Sequence, residues 1–244
     1  MQIALIGYGK MGHLIHEVAL ERGHKVVCII EQRASADEQI PFVTFDSDEF
    51  RSADVAIEFT TPTTAADNIR QAWEQGVPVV SGTTGWSLEK LKVESLKFIS
   101  EGSSVQVVDE NGKVWLIWKS NFSVGVNVFF ELNKMLAQAL AQYAQYTPSI
   151  TETHHIHKLD KPSGTAVTLR EGLVESLKLK AGRSRLVDEV ESLEVPIESI
   201  REGEVAGIHT VTWDSEEDTI TITHSAKSRR GFALGAVLAA EQLI

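Results

Sequence analysis

Along the first half of the chain, short apolar runs alternate with longer stretches in which apolar residues recur every three or four positions. The runs at 2–6, 25–30, 54–59, 77–81 and 104–108 predict strands. Between the first two, Met11, Leu14, Ile15, Val18 and Ala19 share one helical face, and Gly23 follows where a C-terminal cap glycine belongs. Segments 64–75 and 87–99 carry similar spacing and predict two further helices. Strand and helix in alternation build βαβ units around a parallel sheet, so the expected layout is α/β and doubly wound, with ligands at the carboxyl ends of the strands.

From about Asn121 the pattern changes. An apolar helical stretch from Val126 to Tyr143 precedes a strand at 149–153, and residues 205–213 and 218–224 alternate in the β manner. These predict a second, α+β domain with an open mixed or antiparallel sheet, covering 122–226. The helical stretch from Ala233 to Leu243 returns to the first domain, which is expected to comprise 1–121 plus 227–244.

Composition narrows the function. The formal charge of -11 argues against nucleic acid or an anionic membrane as partner, because phosphate backbones are bound by clustered Lys and Arg. No apolar run approaches the roughly 18 residues of a membrane span, and the chain opens directly on a strand without a charged leader, so a cytoplasmic protein is expected. The one cysteine, Cys28, lies in an apolar run and reads as a buried small hydrophobe rather than a catalytic thiol. An anionic ligand needs a local basic patch. Three of the eight histidines supply one at His154, His155 and His157, with Lys158 and Lys161 close behind.

The first strand runs into Gly7-Tyr8-Gly9-Lys10-Met11-Gly12, a G-x-G-x-x-G turn that opens a helix. The first glycine suits a tight turn, the second admits a pyrophosphate to the backbone, and the third lets helix and sheet approach. This context predicts a Rossmann-type dinucleotide-binding domain. Glu31, at the end of the second strand, is placed to accept hydrogen bonds from the adenosine ribose, which favours NADH; Arg33 is placed to meet a 2′-phosphate, which keeps NADPH open. Two further strand ends join the candidate cofactor site: Phe59-Thr60 after the third strand, and Gly82-Thr83-Thr84 after the fourth.

The most specific stretch is Glu152-Thr153-His154-His155-Ile156-His157-Lys158-Leu159-Asp160-Lys161-Pro162-Ser163-Gly164-Thr165-Ala166. Crowded imidazole and ammonium groups depress one another's pKa, which leaves a proton donor usable near neutral pH. Pro162-Ser163-Gly164-Thr165 then opens an amphipathic helix whose N–H groups and hydroxyls suit a carboxylate. A metal site is not expected, since His154 and His155 would point oppositely on a strand and no Cys or carboxylate cluster completes the set at usual spacing.

With these blocks the sequence resembles the dihydrodipicolinate (4-hydroxy-tetrahydrodipicolinate) reductases of the diaminopimelate route to lysine. The resemblance also rests on Gly82-Thr83-Thr84-Gly85, on Ser120-Asn121-Phe122-Ser123-Val124-Gly125-Val126-Asn127, and on Ser228-Arg229 with Phe232, in family order over nearly the whole chain. It implies His154 as proton donor, Lys158 as second catalytic acid, and His155, Ser163, Gly164, Thr165 and Arg229 as residues that hold a small cyclic dicarboxylate. On the cofactor side it implies Gly7 to Gly12, Glu31, Gly82 to Thr84, and Ser120, Asn121 and Phe122, with NADH or NADPH as hydride source. It further implies a homotetramer, with oligomerisation through the second domain. Because cofactor and substrate sites on separate domains must meet within hydride-transfer reach, closure about hinges near Asn121 and Ala226 is expected. The chain departs from the family pattern in its compact glycine turn with Lys10, in Thr61, and in Lys161 before Pro162. The first two bear on NADPH phosphate handling, and the third adds positive charge near the pocket. Two other readings stay open at this point: a related nicotinamide-dependent amino-acid dehydrogenase, and a catalytically silent NAD(P)H sensor.

Overall fold

The computed structural model describes residues 1–31, 40–91, 95–101, 104–181 and 194–244. They divide into two compact units, Met1–Ser123 with Arg229–Ile244, and Val124–Ser228.

In the first unit, strands β1 (Gln2–Ile6), β2 (Lys25–Ile30), β3 (Val55–Glu58), β4 (Val79–Ser81), β5 (Lys97–Glu101), β6 (Ser104–Val108) and β7 (Val114–Lys119) form one sheet in the order β2-β1-β3-β4-β7-β6-β5. The pairs from β2 to β7 are parallel, and β6 and β5 add an antiparallel edge. Helices α1 (Lys10–Glu21), α2 (Asp48–Arg51) and α3 (Ala65–Glu74) follow successive strands. Alternate side chains of β1 feed different cores. Ile3 and Leu5 pack with Ile15 and Val18 of α1 and with Ala233 and Val237 of the last helix, while Ala4 and Ile6 pack with Phe50 of α2 and Ile69 of α3. A sheet covered on both faces is the doubly wound layout that the sequence predicts. Chain order reverses between β1 and β3, and that switch point puts the glycine turn and Phe59-Thr60 side by side at the carboxyl edge.

One predicted helix is corrected. Among its described residues, segment 87–99 forms a 3-10 turn at Leu88–Leu91, and its end belongs to β5, paired antiparallel with β6. Leu88 and Leu91 have helical spacing, but Phe98 reaches the core only from a strand while Ile99 stays exposed, so the hairpin partner overrides the local period. Strand β7 and helix α2 carry no prediction from the sequence pattern.

In the second unit, helices α4 (Val124–Leu140) and α5 (Gly164–Ala181) cover one face of a mixed sheet of β8 (Thr147–His154), β9 (Ile197–Arg201), β10 (Ile208–Asp214) and β11 (Thr219–Ser225), ordered β11-β10-β8-β9. Phe129 and Phe130 of α4 and Leu169 and Leu173 of α5 meet Ile150, Val211 and Trp213 in the core. The same inward alternation that buries Ile150 and Val211 also buries Glu152, His154 and His209, so this face turns from apolar to ionisable toward one end of β8. Helix α6 (Arg230–Glu241) closes the chain and belongs to the first unit.

Candidate active site

At the glycine turn, Gly7 has φ +91°, and a Cβ there would lie 2.3 Å from the Phe59 carbonyl oxygen; a Cβ on Gly12 would lie 2.5 Å from the carbonyl oxygen of Gly7. Both glycines are therefore required by packing inside the unit. Gly9 differs: a Cβ there meets nothing within 4 Å among the described residues, and the residue stands at the N-cap of α1. Its bareness serves whatever approaches the exposed helix end. The Tyr8 N–H donates to Glu31 at 2.9 Å and the Gly7 N–H to the Ile30 carbonyl at 2.9 Å, tying the end of β2 to the turn. Lys10 is exposed and Met11 half-buried beside them. A cavity of about 510 Å³ adjoins this edge, lined among others by Ile6, Ile30, Glu31, Thr60 and Asn68. Arg33 lies outside the described residues.

The loops after β3 and β4 are joined by Glu58, to which sequence reasoning gave no role of its own. Its buried carboxylate accepts from Ser81 Oγ at 2.5 Å, Thr83 Oγ1 at 2.8 Å, the Thr60 N–H at 3.0 Å and Thr60 Oγ1 at 2.5 Å. Gly82 lets the Phe59 ring lie against the β4 loop, since a Cβ there would fall 2.2 Å from Phe59 Cζ. Thr84 is exposed, Ser120 is half-buried, Asn121 accepts the Ser123 N–H at 2.9 Å, and Phe122 packs near Phe59 with ring centroids 6.1 Å apart. Cys28 is buried, and desolvation pushes its thiol up to about 12, which leaves it inert as a nucleophile.

In the second unit the histidine-lysine segment separates by side. His154 is buried at the end of β8, His155 is half-buried with its N–H on the Val205 carbonyl, and His157 is exposed beside Glu204. Lys158 pairs with Asp160 at 2.9 Å. Arg201 of β9 grips this loop, donating to the carbonyls of Lys158 and Asp160. Ser163 caps α5: its Oγ accepts the Ala166 N–H at 3.2 Å, and its own N–H donates to Glu152 at 3.0 Å. Gly164 is exposed and Thr165 half-buried on the first turn of α5.

At the centre is Glu152, with no exposed surface. Its Oε1 accepts from the Ser163 N–H, from Ser199 Oγ at 2.7 Å and from Arg201 Nη2 at 3.1 Å. Its Oε2 faces His154 Nδ1 at 3.5 Å and His209 Nε2 at 3.6 Å. Burial opposes ionisation, but the Ser163, Ser199 and Arg201 donors outweigh it and hold the carboxyl at about 2. Desolvation leads in depressing His154 to about 4; Glu152 opposes it, while Lys158 and Arg201 reinforce it. The sequence argument attributed a depressed imidazole to crowding by neighbouring cations, and burial turns out to be the larger cause. His209 is likewise depressed to about 4, first by desolvation and then by His154.

Ligand atoms of Glu152, His154 and His209 lie within 4.8 Å of one another, a spacing a metal ion could bridge. Sequence spacing missed this grouping because His209 comes from another strand. Its surroundings favour a proton network: a guanidinium already sits on the carboxylate, Lys158 adds positive potential, and His209 Nε2 lies 3.2 Å from Ser163 Oγ. The signal that could have exposed His209 and Glu152 is their inward position on strands whose other inward residues are Val211, Trp213 and Ile150. Arg229 stands at the N-cap of α6, exposed, in the first unit.

Models of the dihydrodipicolinate reductase N-terminus and C-terminus match residues 1–111 and 125–244. The chain belongs to the dihydrodipicolinate reductase family. A 4-hydroxy-tetrahydrodipicolinate reductase of Christiangramia forsetii is 44% identical over all of this chain and 92% of the relative. One from Staphylococcus haemolyticus is 34% identical over all of this chain and 95% of its own. Among solved structures, a dipicolinate-bound dihydrodipicolinate reductase from Paenisporosarcina sp. TG-14 superposes with a TM-score of 0.71 at 22% identity, over all of this chain and 94% of that one, which shows the shared fold. As a family member the chain is an NAD(P)H-dependent oxidoreductase of the lysine and diaminopimelate route, so neither a silent sensor nor an amino-acid dehydrogenase is needed to account for its site.

Proposed function

We propose that the chain reduces 4-hydroxy-tetrahydrodipicolinate to tetrahydrodipicolinate, with the cofactor held by the first unit and the dicarboxylate by the second. The observation that carries the division of roles is the buried His154 beside an ionised Glu152, with Lys158 in the loop that follows. The first unit suits a dinucleotide: Gly9 leaves the N-terminus of α1 bare, Glu31 is anchored where ribose hydroxyls would be met, and Thr60 stands on the cavity wall. Gly7, Tyr8, Lys10, Met11 and Gly12 shape that turn, and Phe59, Gly82, Thr83, Thr84, Ser120, Asn121 and Phe122 shape the nicotinamide side. When bound, NADH or NADPH supplies the hydride for the carbon-nitrogen double bond. His154 and Lys158 supply the proton and offset negative charge as the bond is reduced. His155, Gly164, Thr165 and Arg229 bind the substrate carboxylates. Ser163, whose N–H and hydroxyl are engaged by Glu152 and by the α5 cap, supports that surface from beneath.

We place the enzyme in the cytoplasm as a homotetramer. Among the described residues no helix is long and apolar enough to cross a membrane. The tetramer reading is supported by the face of the second sheet opposite α4 and α5, where Thr210, Thr221 and Thr223 lie half-buried or exposed, and by exposed Val128, Leu132 and Met135 on α4. The deciding assay follows loss of reduced-nicotinamide absorbance with substrate made freshly by a coupled synthase from pyruvate and aspartate semialdehyde. Rapid oxidation supports the reading; no turnover by protein that binds NADH defeats it. Light scattering that gives a monomer mass would defeat the tetramer alone.

A further inference from the structure

We infer that Glu152 is a positioning residue for the proton donor: it holds His154 with the Nδ1 hydrogen directed at its carboxylate, so that Nε2 is the atom that delivers the proton. This rests on the assignment of His154 as donor, and deepens it. The geometry is asymmetric. Oε1 is saturated by the Ser163 N–H, Ser199 and Arg201, which fixes the carboxylate, whereas Oε2 has no hydrogen-bond partner among the described residues and faces the two imidazoles at 3.5 and 3.6 Å. An ionised carboxylate accepts only, so it favours hydrogen on the imidazole nitrogen that faces it. His154 Nε2 then points to the other side, where Gly207 has φ +146° and a Cβ would lie 3.2 Å from that nitrogen. The missing side chain keeps room in front of Nε2.

His209 completes the arrangement. Its ring stands edge-on to His154, centroids 4.9 Å apart, and its Nε2 lies between Glu152 Oε2 and Ser163 Oγ. One carboxylate oxygen therefore serves two imidazoles, so a proton added to the pair is stabilised by a charge that never leaves. In the donor form His154 is an imidazolium; Nε2–H gives its proton to substrate and the neutral ring keeps Nδ1–H on Glu152. Among the described residues, the charged and titratable groups around it are Glu152 on its own strand, Lys158 and Asp160 in the following loop, Arg201 on β9 and His209 on β10, with His224 on β11 acting on His209.

The test is the tautomer of His154, read by nitrogen-15 NMR of ring-labelled enzyme near neutral pH, with the resonance assigned through His154→Gln. The expected form is Nδ1–H in the wild type. Glu152→Gln preserves size and still offers an oxygen to Ser163, Ser199 and Arg201, but turns an amide N–H toward His154, which should flip it to Nε2–H. Turnover should fall roughly 10–10²-fold with KM for the nicotinamide cofactor unchanged. Removing the carboxylate charge should also move the basic limb of the kcat profile down by roughly one pH unit or more. Glu152→Asp should restore part of both. A wild-type His154 in the Nε2–H form overturns the inference even if the variant does not fold, as does a Glu152→Gln enzyme with unaltered tautomer and pH profile. Full turnover by His154→Gln instead overturns the donor assignment on which it rests.

Discussion

Among the described residues each unit buries one carboxylate near the carboxyl end of a strand, and the two are used differently. Glu58 accepts from hydroxyls and one backbone N–H on the loops it joins, and both of its oxygens have partners at ordinary hydrogen-bond distance or shorter. Glu152 gathers three donors on one oxygen and leaves the other to two depressed imidazoles. Full satisfaction makes a brace, since nothing remains to exchange protons with. Partial satisfaction beside titratable rings makes a site, because the residual acceptor acts on the protonation of its neighbours. A buried acid in an enzyme is thus read by what its second oxygen faces.

The sharpest break of this comparison lies on the Glu152 side. Lys158→Ala should lower kcat by ~10²-fold or more with the folded state intact, because Lys158 is partly exposed and its ion pair with Asp160 adds little stability. Steady-state kinetics beside a thermal melt check both halves, and unchanged turnover removes Lys158 from the chemistry. Gly207→Ala comes next. It adds a methyl 3.2 Å from His154 Nε2 at a backbone angle that suits glycine, so kcat should fall by roughly tenfold with a stability loss of ~1–3 kcal/mol. Loss of stability without loss of rate would show that Nε2 needs no clearance there.

Glu58→Gln sharpens the other side. A side-chain amide replaces one acceptor by a donor amid Ser81, Thr83 and Thr60, so about 1–3 kcal/mol of stability should be lost. KM for NADH should rise a few-fold as the Thr60 and Thr83 loops loosen, while the pH profile of kcat stays in place. A shifted profile would erase the distinction between brace and site.

How far these roles were legible in the sequence follows the same division. The alternating pattern yields the parallel sheet because each buried strand there is a continuous apolar run and each helix carries its own stripe. It fails at 97–101, where a strand at the sheet edge packs the half-buried Phe98 against the core and gains its identity from β6. The site is legible where neighbours in sequence do the chemistry, as with His154 and Lys158. It is illegible for His209, Arg201 and Ser199, which come from strands β10 and β9 and meet Glu152 only through sheet order. Glu152 itself stood within the motif, and the one local mark of its inward direction is its alternation with Ile150 two residues before it.

A last expected effect concerns stability against pH, and its sign separates the histidines from the carboxylate. His154 and His209 are depressed to about 4 in the folded protein from an ordinary 6.5, so below 6.5 the unfolded chain binds protons that the folded chain refuses. Their buried neutral state is therefore fully tolerated above about pH 6.5, and stability falls as pH drops from there toward 4, where the folded rings protonate too. Glu152, held at about 2 against an ordinary 4.5, contributes stability that is complete above 4.5 and lost as pH falls toward 2. Denaturant melts between pH 7 and 4.5 thus read the histidines before the carboxylate enters. His209→Gln, which keeps a polar atom for Ser163, should flatten that slope. An unchanged slope would mean that His209 titrates alike in the folded and unfolded chains, and that its place beside Glu152 confines no proton.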